Sequence, residues 1–70
     1  MTYDEFIQNI LDTRGRFMDD YDGYKERHHI VMRSLGGYDT AENLIDLIGP
    51  EHYEAHRLLA LENPDCREAQ

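Results

Sequence analysis

The chain holds one cysteine, Cys66, among its 70 residues, so an internal disulfide is excluded. No apolar run approaches membrane-spanning length, and the opening MTYDEFIQNI lacks the basic-then-apolar pattern of a secretory leader. A cytoplasmic protein with no membrane partner is therefore expected. Positive charge is scarce: seven Lys and Arg stand against fifteen Asp and Glu, for a formal net charge of −8. Non-specific nucleic-acid affinity rises with the number of phosphates neutralised, so this chain does not grip DNA by general electrostatics. Any phosphate chemistry must come from a local site. No internal repeat, second domain, recognition helix or basic arm is visible, so no base-sequence preference can be read.

A chain of this size forms one small domain with a modest core, and such domains usually need a disulfide, a metal or a partner. With the disulfide excluded, a metal or a partner remains. Thr2-Tyr3-Asp4-Glu5 has the form of a capping box, and Tyr3, Phe6, Ile7, Ile10 and Leu11 share one helical face. The spacing predicts a helix over about residues 3–12. Residues 13–23 carry two glycines and no sustained period, so they read as a loop. Tyr24 to Val31 reads as a strand, broken by Ser34-Leu35-Gly36-Gly37, where paired glycines permit positive φ. Leu44 to Ile48 reads as a second strand, closed by Gly49-Pro50.

Pro50 suits the first turn of a second helix, whose Glu51 and Glu54 favour its positive end. That helix should stop near Glu62, before Asn63-Pro64. The predicted class is α+β in a single domain: an N-terminal helix and loop (1–23), a β-loop-β-α unit (24–62) and a polar tail (63–70).

All four histidines fall inside the β-loop-β-α unit. His28 and His29 are adjacent on a strand and so point to opposite faces. His52 and His56 lie four apart on a helix and project from one face, where they can clasp one ion. Three imidazoles with an open position are a common arrangement for a borderline divalent ion such as zinc, whereas magnesium prefers carboxylates and water. The residues therefore suggest His28, His52 and His56 on a metal, with His29 free as a base. Two blander readings stay open. The histidines could be ordinary surface or half-buried residues, or they could form a structural zinc site with Cys66 or a carboxylate as fourth ligand.

The runs Tyr24-Lys25-Glu26-Arg27-His28-His29-Ile30, Arg33-Ser34-Leu35-Gly36-Gly37, Glu42-Asn43-Leu44-Ile45 and Glu51-His52-Tyr53-Glu54-Ala55-His56 carry a family resemblance. In order and spacing they resemble the HNH endonucleases, most closely the small phage and bacterial members. The likeness covers about half of the chain, from Glu26 to Leu61. It implies a ββα-metal (His-Me) finger: a two-stranded antiparallel hairpin with a long loop, then a metal-binding helix. It also implies His29 as the general base, Asn43 as the brace of the inter-strand loop, and His28 and His56 as metal ligands. The paired histidines with a downstream H-x-x-x-H are similar to the colicin-type DNases, which adds His52 as a third ligand. Met32 departs from the family pattern, standing where a proline is usual. Similar proteins often continue past the helix represented by Leu58 to Leu61, an extension that bears on stability or on DNA grip.

The resemblance implies a DNA phosphodiesterase of a phage or bacterial cell, using one divalent ion: Zn, Ni, Mn or Mg. Neutral His29 would deprotonate water, leaving 5′-phosphate and 3′-hydroxyl ends. Arg33 and Arg57 are candidate phosphate contacts, since arginine offers a planar fork of donors, although surface ion pairing explains each equally well. DNA is the implied partner, with a homodimer or a partner protein as a source of basic surface. The competing class is a non-catalytic, metal-stabilised binding or assembly module. The acidic surface and short length favour it, while retention of both His29 and Asn43 favours the enzyme.

Overall fold

A computed structural model describes residues 1–64. Helix α1 spans Tyr3–Thr13, strand β1 Glu26–His29, strand β2 Leu44–Leu47 and helix α2 Gly49–Glu62. Short 3₁₀ turns at Arg33–Leu35 and Ala41–Asn43 lie between the strands. This is the expected α+β order, a helix followed by a ββα unit. Cys66 and most of the predicted tail lie outside the described residues.

Helix α1 begins with the predicted capping box: Glu5 N–H donates to Thr2 Oγ1 (3.1 Å), and Thr2 N–H donates to Glu5 Oε1 (2.8 Å). Its apolar stripe buries Tyr3, Ile7 and Ile10 against Ile45 and Leu47 of β2 and Ala55, Leu58 and Leu59 of α2. Phe6, Leu11, Ile30 and Met32 close the edges of this core. At the start of α2, Ile48 N–H donates to Glu51 Oε1 (3.0 Å), satisfying one of the helix entry's orphan donors.

The strands pair antiparallel with Glu26 opposite Leu47, Arg27 opposite Asp46, His28 opposite Ile45 and His29 opposite Leu44. Strand β1 is shorter than the predicted Tyr24 to Val31 because its partner is short. Before Leu44 the second strand is preceded by a 3₁₀ turn, and after Leu47 the chain enters α2. Ile30 N–H still donates to Asn43 O (2.8 Å), but Val31 then bonds to the Asn43 side chain in place of a ladder partner.

The loop after α1 covers the outer edge of β2. Arg16 Nη1 donates to Leu44 O (2.7 Å) and Glu42 O (3.0 Å), and Arg14 Nη2 donates to Asp46 O (2.8 Å) and Glu51 Oε1 (2.9 Å). Asp46 N–H donates to Arg16 O (2.8 Å). An edge that would otherwise offer unpaired backbone groups is thereby satisfied.

Of the paired glycines only Gly36 has positive φ (94°); Gly37 is required by a close approach. A Cβ on Gly37 would lie 1.8 Å from Val31 O and 2.8 Å from Asn43 Nδ2. Gly36→Ala meets no atom but must hold the left-handed backbone, so it should cost about 1 kcal/mol. Gly37→Ala must displace backbone and should cost about 2–3 kcal/mol. Urea unfolding of the two variants checks the order, and a reversed order would contradict the close approach.

Candidate metal centre

The predicted ligands come together. His28 leaves β1 toward the core and is only 6% exposed, while His52 and His56 face it from α2. One ring nitrogen from each of the three lies within 4.8 Å of those from the other two. The His28 ring centroid is 5.5 Å from that of His52 and 5.7 Å from that of His56. His52 Nε2 and His56 Nε2 are 3.0 Å apart. Two imidazoles sharing a tetrahedral ion, with metal–nitrogen bonds of about 2.0–2.1 Å, have donor atoms about 3.3 Å apart. The cluster therefore fits a small divalent cation.

The surroundings of His28 and His56 favour neutral rings, which is the state a metal needs. Burial, reinforced by the neighbouring His52, His56 and His29, pushes His28 down to about 4 from its ordinary 6.5. Burial, then His52, also lowers His56, with Glu26 opposing. On its far side His52 Nδ1 meets the Glu26 carboxylate at 2.5 Å. With Nδ1–H donated to that carboxylate, the lone pair of His52 sits on Nε2, facing His56. Glu26 itself is held below its ordinary value, mainly by the Tyr24 hydroxyl and further by His52. His28 Nε2 meets the hydroxyl of Tyr3 from α1 at 2.8 Å. Burial, with Asp4 adding, keeps that phenol above its ordinary value and so protonated.

His29, one residue on, lies on the other face of the strand and is 28% exposed. Its Nε2 contacts Asp39 in the loop, whose carboxyl is held low by that bond first and then by Arg33. Asn43 clasps the backbone just beyond His29. Its Oδ1 accepts from Val31 N–H (2.8 Å), and its Nδ2 donates to Val31 O and Tyr38 O (both 2.9 Å). An open cleft of about 450 Å³ joins His29 to the three-histidine cluster, lined by Arg27, His28, His29, Met32, Arg33, Ser34, His52 and His56.

The two candidate phosphate contacts part company. Arg33 is exposed and lines the cleft, and its side chain makes no hydrogen bond or ion pair among the described residues. Arg57 gives its fork to Glu54 through bonds of 2.8 and 2.5 Å and is not among the residues lining the cleft. Sequence reasoning missed Tyr3, Glu26 and Asp39. Tyr3 reads as one more apolar position of α1. Its only signal is a hydroxyl where Phe or Leu would serve packing equally well.

This arrangement, a hairpin and a following helix converging on histidines, is the ββα-metal type of architecture. The chain is 43% identical over 54 residues to the probable mobile endonuclease E of Enterobacteria phage T4, a match covering 77% of this chain and 38% of that protein. It is 40% identical over 63 residues to the probable mobile endonuclease C of the same phage, covering 86% of this chain and 30% of the relative. A third relative, the probable mobile endonuclease D, is 49% identical over 37 residues, covering 53% of this chain and 14% of that protein. The chain is thus a homologue of the phage mobile endonucleases, in keeping with the small HNH type that its motifs resemble. It matches well under half the length of these relatives. No family model and no solved structure matches it. Among the described residues no helix is long and apolar enough to cross a membrane.

The neutral histidines give the metal-free chain a pH signature. With a folded value near 4 and an unfolded value near 6.5, His28 binds more protons in the unfolded state between those limits. Stability is then level above about pH 6.5 and falls as the pH drops toward 4. The carboxyls held low, at Glu26 and Asp46, weaken the fold only further down, because their ordinary values are 4.5 and 3.8. The urea midpoint of the chelator-treated chain should therefore fall from neutral pH to about pH 5, and less so in His28→Gln. Equal midpoints at the two pH values would refute a buried neutral His28.

Proposed function

We propose that the chain is a metal-dependent HNH endonuclease domain that hydrolyses DNA phosphodiester bonds. The observation that carries this reading is the single cleft shared by the three-histidine cluster, His29 and Arg33. His28, His52 and His56 would hold one divalent ion, with Zn, Ni, Mn and Mg the ions to try. Bound there, the ion supplies Lewis acidity for a phosphoryl oxygen and for charge developing on the leaving oxygen.

The protein's own groups do the rest. Neutral His29 donates its Nε2–H to Asp39 and keeps Nδ1 as the acceptor for a proton from water. Asn43 fixes the backbone that follows His29, which orients the base. Arg33, whose side chain has no hydrogen bond to give up among the described residues, offers its fork to phosphate. Arg57 would have to leave Glu54 to do the same. DNA is the proposed substrate. With a net charge of −8, sustained grip on it requires basic surface from a second copy, a partner protein or further chain.

Plasmid nicking by the purified chain with each of the four metals tests the proposal, beside His29→Ala and His56→Ala. The wild type should nick supercoiled plasmid. His29→Ala should lose about 100-fold or more while still binding metal, and His56→Ala should lose both metal and activity. A wild type that holds one metal per chain yet never nicks would make this a non-catalytic, metal-stabilised module. A His29→Ala variant as active as wild type would remove His29 from the role of base.

A further inference from the structure

We infer that Tyr3 is a positioning residue of the metal centre: its hydroxyl holds His28 as the Nε2–H tautomer, leaving Nδ1 as the nitrogen that binds metal. The argument is a count of protons. The Tyr3 oxygen lies 2.7 Å from Ile30 O and 2.8 Å from His28 Nε2. A carbonyl oxygen can only accept, so the phenol's one proton goes to Ile30 O. What remains on the phenol oxygen is lone pairs, so the contact with His28 must be donated by Nε2–H. A neutral imidazole carries one N–H, which leaves its other lone pair on Nδ1.

His52 is arranged the opposite way. The Glu26 carboxylate accepts a hydrogen bond from its Nδ1–H, which leaves the lone pair on Nε2, beside His56. Two ligands of one centre are therefore set in opposite tautomers, one by a phenol from α1 and one by a carboxylate from β1. Metal-bound histidines commonly owe their orientation to such outer partners.

Tyr3 is itself well anchored for this task. Its N–H donates to Glu62 Oε2 (2.7 Å) at the far end of α2, the helix that carries His52 and His56. The capping box at Thr2 and Glu5 fixes the same turn of α1. The ring is 5% exposed and packs edge-on to His28, with centroids 6.2 Å apart. The N-terminal helix thus reaches into the centre through one oxygen atom.

The consequence for metal binding rests on the metal reading proposed above, but the tautomer does not. Long-range proton–nitrogen correlation spectra of the ¹⁵N-labelled chain report which ring nitrogen of each histidine carries hydrogen. They should be recorded metal-free and with Zn²⁺ bound. His28 should appear as the Nε2–H form in both. In Tyr3→Phe, His28 should shift toward a mixture of tautomers while His52 stays unchanged. Zn²⁺ affinity, measured by competition with a chromophoric chelator, should weaken roughly 10–100-fold in Tyr3→Phe. A wild-type His28 carrying its hydrogen on Nδ1 would overturn the inference, as would a Tyr3→Phe variant with unchanged tautomer and unchanged Zn²⁺ affinity. A wild type that shows the stated tautomer but takes up no metal would support the Tyr3 contact and defeat the metal reading alone.

Discussion

A ladder of four residue pairs decides which of two adjacent histidines is buried. With His28 opposite Ile45, its ring faces the core and α2, and His29 faces the loop. A slip of one residue would exchange them, because alternate residues of a strand point to opposite faces. So short a ladder cannot hold its register unaided, and side chains on three sides reinforce it. At one end the Asn43 amide makes three bonds to the loop that closes the hairpin. In the middle, Asp46 is 1% exposed and takes the Arg27 guanidinium (3.0 and 3.4 Å) and Met18 N–H (3.0 Å). On the outer edge Arg14 and Arg16 bind the carbonyls of β2.

That reinforcement explains where the few cations go. Arg14, Arg16 and Arg27 hold β2, Lys25 donates to Met18 O, and Arg57 pairs with Glu54. Among the described residues only Arg33 is left without such a bond, and it stands at the cleft. The acidic balance is therefore sharper in its consequence than the net charge conveys. Most of the positive charge is structural, so only one described arginine can meet a phosphate without giving up a side-chain hydrogen bond.

Much of this was legible in the sequence, for reasons that differ by element. Helix α1 announces itself through a capping box and a complete apolar stripe, both local signals. The pairing of His52 with His56 follows from helical spacing, and the opposed faces of His28 and His29 follow from the pleat. Strand ends were less legible, because Tyr24 to Val31 has strand-like residues throughout and only the partner's short length trims it to Glu26–His29. Asp46 shows how tertiary context overrides pattern. Between apolar neighbours it would ordinarily face solvent, but Arg27 and the loop after α1 bury it. The contacts of Tyr3, Glu26 and Asp39 with histidines span 25, 26 and 10 residues of chain, and no periodic pattern encodes such meetings.

The same contacts bear on how so small a domain would be stabilised. An ion held by His28, His52 and His56 would tie β1 to α2, and the Tyr3–His28 bond would extend that tie to α1. Binding to the folded state alone stabilises it in proportion to the logarithm of free metal over its dissociation constant. The ion would thus act as the staple that the lone cysteine cannot provide. Catalysis and folding would then draw on one set of imidazoles. Burial disfavours the charged form of His28 and His56, which readies those two for a metal and for the same reason makes the metal-free fold sensitive to acid.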